Sequence, residues 1–141
     1  GFYLSARNNE HSLVRQFGGH LIVVARELNY CWDRFVYVKE MMHVFDDPTQ
    51  ALDSGDRLER LLEEIWSGNP DQSPEVKSEI NCFFMALGAL CPEKYRLEFA
   101  EAREKGQIDD YTIALRLRIP QLYVSRLFRP DYPVILQTLT A

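Results

Sequence analysis

The chain has 141 residues, 46% hydrophobic and 26% charged, the size and balance of one soluble globular domain and the wrong balance for a disordered segment. A net charge of −5, with a pI near 5.2, argues against a global electrostatic grip on nucleic acid, though not against a local one. The longest apolar run, Leu21-Ile22-Val23-Val24-Ala25, falls far short of the ~18 residues that would span a bilayer. No basic segment precedes that run, so neither a membrane span nor a signal peptide is expected, and a cytoplasmic protein is. The chain opens on Gly1, not methionine, which leaves room for a tag remnant or for sequence upstream.

In chain order, Phe2-Tyr3-Leu4 is a candidate strand, and His20 to Leu28 is the best one: apolar and β-branched, with Gly18-Gly19 before it and Asn29 after. Cys31 to about Phe45 has apolar residues at Phe35, Val38, Met42 and Phe45, a helical spacing that Asp46-Asp47-Pro48 ends. This helix is apolar most of the way round and is expected to be buried. The spacing of Leu58, Leu61, Leu62, Ile65 and Trp66 predicts the cleanest amphipathic helix over 56–67, with Gly68 at its C′ position and a loop expected at 69–72. Ser73 is a plausible N-cap with Pro74 at the first helical position, opening a helix to about Leu90. Another runs from Pro92 through Glu104 and closes at Gly106, and two short helices at about 109–117 and 120–128 are the last ordered elements expected. Cys31, Cys82 and Cys91 lack the spacing of a disulfide framework or a CxxC zinc site and read as reduced core thiols. The pattern is α+β with a helical majority, in one domain over residues 1–141.

Chemistry concentrates in Lys39-Glu40-Met41-Met42-His43. At ~100° per residue Lys39 and His43 share a helical face, with Glu40 at its edge. The plainest reading sends Lys39 and Glu40 to solvent and leaves His43 as a satisfied core histidine. Against it stands a second acid, Glu79, on the border of the stripe Val76, Ile80, Phe83, Phe84 and Leu87 of a later helix, while Asn81 points away. Imidazole and carboxylate ligands with a glutamate as general base are the parts of a zinc peptidase site. A histidine four residues before His43 would complete that set, and Lys39 stands there.

The run Arg34-Phe35-Val36-Tyr37-Val38-Lys39-Glu40-Met41-Met42-His43 resembles the R-F-x-x-x-H-E-x-x-H helix of the ImmA/IrrE family of metallopeptidases. Glu79-Ile80-Asn81-Cys82-Phe83, ending at Cys91-Pro92-Glu93, resembles the family's E-A-N-x-F-A…L-L-x-P helix, whose glutamate is the third zinc ligand. Ile113-Ala114-Leu115-Arg116-Leu117-Arg118-Ile119, then Val124 and Arg126-Leu127, resembles its terminal helix pair. The likeness runs in order from about residue 20 to about 129.

The resemblance implies a small antiparallel sheet packed on a zincin-like active-site helix, with His43 and Glu79 as metal ligands and Glu40 as the catalytic base. Two departures qualify it: Lys39 replaces the first ligand, and the interval from Glu79 to Pro92 is about two residues longer than the family pattern, near Gly88. Lysine has a reference pKa of ~10.4, so its ammonium is expected to take the cation's place against Glu79 and leave His43 neutral. No cofactor is then expected; zinc would belong to a functional site, and His20, Cys82 or Asp47 could supply a substitute ligand, with no spacing that favours one.

Residues 111–130 hold Arg116, Arg118, Arg126 and Arg129 and no acid. Ala114, Ile119 and Val124 match the core positions of a helix-turn-helix, but its turn glycine is Arg118 and Pro120 follows within two residues. The plainer alternative is a terminal helical hairpin with solvated arginines. The sequence therefore points first to a catalytically impaired metallopeptidase-like domain acting in cytosolic regulation through a protein or peptide partner, a transcriptional repressor among them. An active peptidase with an unusual ligand set and a DNA-associated regulator stay open behind it.

Overall fold

The computed structural model describes residues 1–46 and 73–141. The helix expected at 56–67, the Gly68 stop, the loop at 69–72 and the candidate ligand Asp47 lie outside the described residues. Strand β1 (Phe2–Leu4) pairs antiparallel with β2 (Leu21–Val23), placing Tyr3 opposite Ile22 and Leu4 opposite Leu21. The second strand is thus shorter than the apolar run around it. The chain between the strands forms a short helix, α1 (Ser12–Phe17), that the sequence reading did not mark; the His11 ring caps it by accepting from the Leu13 N–H.

Helix α2 (Tyr30–Met42) starts at Asn29, whose side chain accepts from the Cys31 and Trp32 N–H groups, so a residue that reads as a strand stop works as an N-cap. A 3-10 turn at His43–Phe45 continues it until Asp46 turns extended. The helix is not buried throughout. Phe35 and Glu40 are its only fully buried residues, while Tyr37 and Met41 are exposed. It lies against both strands on one side and along α3 on the other.

Helix α3 (Pro74–Leu90) is the centre of the molecule, capped as expected by Ser73, which accepts from Val76 N–H. Its buried arc takes in Val76, Ser78, Cys82, Phe84, Ala86 and Leu87. At ~100° per residue Glu79 falls inside that arc, between Cys82 and Val76, not on its border. Ile80, placed on the stripe by spacing, is 38% exposed. The last helix, α7 (Tyr132–Thr140), packs on α3 further along, setting Tyr132 against Phe84 and Leu136 against Gly88. A Cβ at Gly88 would sit 3.1 Å from Leu136, so the small residue permits this close approach. Helix α7 lies beyond the last element expected from the sequence, and Tyr132, with no exposure at all, belongs to the core.

Helices α4 (Glu93–Glu104), α5 (Asp110–Leu117) and α6 (Val124–Leu127) complete the described chain. The helix expected at 120–128 is split, with a 3-10 turn at Gln121–Tyr123 ahead of α6. Arg118 adopts the left-handed conformation a turn glycine would take (φ 55°, ψ 49°), while Ile119 returns its N–H to Ala114. Ala114, Ile119 and Val124 are all buried, as core positions should be. Phe35, Phe83 and Tyr123 form an aromatic triangle with centroids 4.7–5.4 Å apart, joining α2 and α3 to this hairpin. All three cysteines are free; Cys82 and Cys91 are buried, but Cys31 is only half-buried. The described chain is mostly helical with one two-stranded sheet, an α+β arrangement, and none of its helices is long and apolar enough to cross a membrane.

Candidate functional site

Helices α2 and α3 meet along a seam in which four ionisable side chains converge. The Lys39 ammonium donates to Glu79 Oε2 at 2.5 Å and lies 3.0 Å from Glu40 Oε1. His43 Nε2 is 3.2 Å from Glu79 Oε1 and 3.6 Å from Glu40 Oε2. The structure therefore brings together every residue singled out for the site: Lys39, Glu40, His43 and Glu79. None of them escapes to water, and Glu40 is 2% exposed. The reason is geometric: Lys39 lies in the last turn of α2 and His43, four residues on, caps it on the same side, while Glu79 sits mid-arc on the α3 face that packs there.

The other edge of the imidazole faces a second set of groups. His43 Nδ1 donates to Asp46 Oδ2 at 2.6 Å, and the Ser78 hydroxyl donates to the same oxygen. Ser78 Oγ and Cys82 Sγ lie 3.3 and 3.4 Å from Nδ1, and Cys82 is 3.8 Å from Asp46 Oδ1. Asp46 and Ser78 were not marked as site residues in the sequence. A carboxylate three residues past a histidine at a helix end was the available signal for the first; nothing local distinguished the serine. Tyr3 stacks on His43 with centroids 6.3 Å apart, and on His20, whose Nδ1 meets its hydroxyl. His20 is thereby held by Tyr3, and among the described residues it is not one of those whose ligand atoms converge.

Charge in the seam follows from these contacts. Burial works against the Lys39 charge, but Glu79 and Glu40 outweigh it and hold the ammonium above its ordinary pKa. Burial likewise opposes the His43 charge, yet hydrogen bonding to Asp46, then to Cys82 and Glu79, pushes it up to about 11. Burial favours a neutral Glu79, and the His43 hydrogen bond and Lys39 charge overcome this, holding it down at about 2. The expectation of a neutral His43 is therefore corrected: it is an imidazolium, because Asp46 supplies an acceptor on its far edge. Two protonated cations face Glu40, Glu79 and Asp46.

The residues on the Nε2 edge do not fit a zinc ion. An ammonium has no lone pair to donate, and Lys39 Nζ sits against the carboxylate that would ligate. On the Nδ1 edge, by contrast, His43, Asp46 and Cys82 bring ligand atoms within 4.8 Å of one another and could hold a metal. Compared with protein-family models, curated proteins and solved structures, the chain gives no match.

Proposed function

We propose that this chain is a degenerate metallopeptidase-like domain, in which a lysine has taken over the place and charge of the catalytic zinc, and that it acts in cytosolic regulation by binding a protein or peptide. The observation that carries the reading is the Lys39 ammonium seated between Glu79 and Glu40, with His43 Nε2 beside it. In a working zinc site Glu79 and His43 would ligate and Glu40 would take a proton from bound water. With Lys39 in that space, Glu40 is an ion-pair partner and has no activated water to serve. The seam is a structural clamp between two helices.

A protein partner is supported by the outer face of α2 and the turn after it. Tyr37, Met41, Val44 and Phe45 recur at helical spacing, and each is 43–72% exposed. A repressor-type partner remains the class the family likeness suggests. DNA contact has less support: Arg129 is paired with Asp131 and Arg118 lies over the Tyr30 ring, leaving Arg116 and Arg126 as the outward charges of the hairpin. The test is hydrolysis of denatured casein by the full chain with added zinc, against its Glu40→Gln variant. No difference between them is expected; hydrolysis that depends on Glu40 would establish an active peptidase with an unusual ligand set instead.

A further inference from the structure

We propose that His43 Nδ1, Asp46 and Cys82 form a site for a borderline-soft divalent cation of the zinc type, on the opposite edge of the imidazole from the Lys39 clamp. The inference goes beyond the reading above and does not need it. Ligand spacing comes first. Bonds of ~2.3 Å to sulfur and ~2.0 Å to nitrogen or oxygen set tetrahedral ligands roughly 3.5 Å apart. Cys82 Sγ lies 3.4 Å from His43 Nδ1 and 3.8 Å from Asp46 Oδ1, either side of that value. The His43–Asp46 distance, 2.6 Å, is too short for two ligands of one tetrahedral ion, and it must open by about 0.7 Å when a metal replaces the shared proton.

The surroundings already orient these ligands. Nε2–H faces the Glu79 and Glu40 carboxylates, so once Nδ1 gives up its proton to an incoming ion the lone pair falls on Nδ1, the carboxylate–histidine arrangement common behind metal ligands. Lys39 fixes Glu79 in turn, and the Ser78 hydroxyl fixes Asp46. A thiolate, an imidazole and one carboxylate select zinc or cobalt over magnesium or calcium. Binding releases two protons, one from His43 Nδ1 and one from the Cys82 thiol, and forms the three coordinate bonds in their place; water takes the fourth position. Cys82 is sealed at 1% exposure, whereas the His43 and Asp46 side chains keep 10% and 13%, so the ion enters past those two.

The experiment is titration of the chelator-stripped full chain with cobalt(II), followed by absorption. About one equivalent should bind with a near-ultraviolet thiolate-to-cobalt charge-transfer band. No binding, or binding without that band, overturns the proposal. Cys82→Ser should abolish the band, and its survival there would equally overturn the site. If that variant does not fold, Asp46→Asn decides: affinity should fall at least tenfold with the band retained, and unchanged affinity is the contrary result. The parent chain with Lys39 in place is the protein titrated, so failure here leaves the Lys39 reading standing, and that reading fails by a different measurement.

Discussion

Lys39 and Glu79, forty residues apart in the chain, meet at 2.5 Å across the seam between α2 and α3. Both side chains are more than four-fifths covered, and Glu40 beside them is almost wholly so. A pair of this kind contributes little relative to apolar residues of the same shape, but breaking it is costly, since a carboxylate is left buried without its cation.

Lys39→Ala is therefore expected to destabilise the fold by on the order of 3–5 kcal/mol, measured by urea unfolding. Lys39→Met with Glu79→Leu should recover much of that loss, because the uncompensated charge goes with its partner. An unchanged midpoint in Lys39→Ala would mean that the lysine reaches water and holds nothing.

A histidine raised from about 6.5 to about 11 stabilises the fold fully below pH 6.5, and that contribution drains as pH rises towards 11. A carboxylate lowered from 4.5 to about 2 does the reverse: its contribution is full above pH 4.5 and is lost as pH falls towards 2. Together they place the plateau between about pH 4.5 and 6.5. Unfolding midpoints in the presence of a chelator should fall on both sides of that window. His43→Gln should lower the plateau and flatten the alkaline limb. A parent curve flat from pH 6.5 to about 9 would show a neutral imidazole.

Gly106 offers a purely backbone test. It follows α4 at φ +65°, and a Cβ there would touch nothing within 4 Å. Gly106→Ala should cost about 1 kcal/mol through the left-handed conformation alone, with a fall in Tm of several degrees. Gly106→Asn should cost less. Equal stability of Gly106→Ala and the parent would mean that the chain relaxes into another turn.

How much of this was legible in the sequence depended on how local the physics was. The Ser73-Pro74 start of α3, the span of α4 and the strand at Phe2–Leu4 follow from capping, proline and periodicity, and they stand where expected. Lys39, Glu40 and His43 could be placed on one helix by spacing, and Glu79 opposite them by its neighbours. The other half of the seam is tertiary. Asp46 reaches His43 only because a 3-10 turn curls the chain back, and Ser78 is drawn in only because α3 is buried on both flanks. The exposure of Ile80 is tertiary too, since spacing alone sets it on the buried stripe. Charge on His43 was missed with Asp46, for without that acceptor a neutral ring is the cheaper state.

The central claim is that one residue separates this seam from a zinc site, and calorimetric titration of Lys39→His with zinc, the parent alongside, tests it most directly. The substitution sets imidazoles at i and i+4 on α2, removes the ammonium and frees Glu79 as third ligand. Uptake of about one zinc per chain is predicted that persists when Cys82→Ser is added, because one imidazole offers a single lone pair and the two edges of His43 cannot both ligate; stabilisation is ~2.7 kcal/mol at a hundredfold excess over Kd. Zinc binding that is absent from Lys39→His, or lost when Cys82→Ser is added to it, would contradict this, and would mean that the pocket departs from a metal site by more than Lys39.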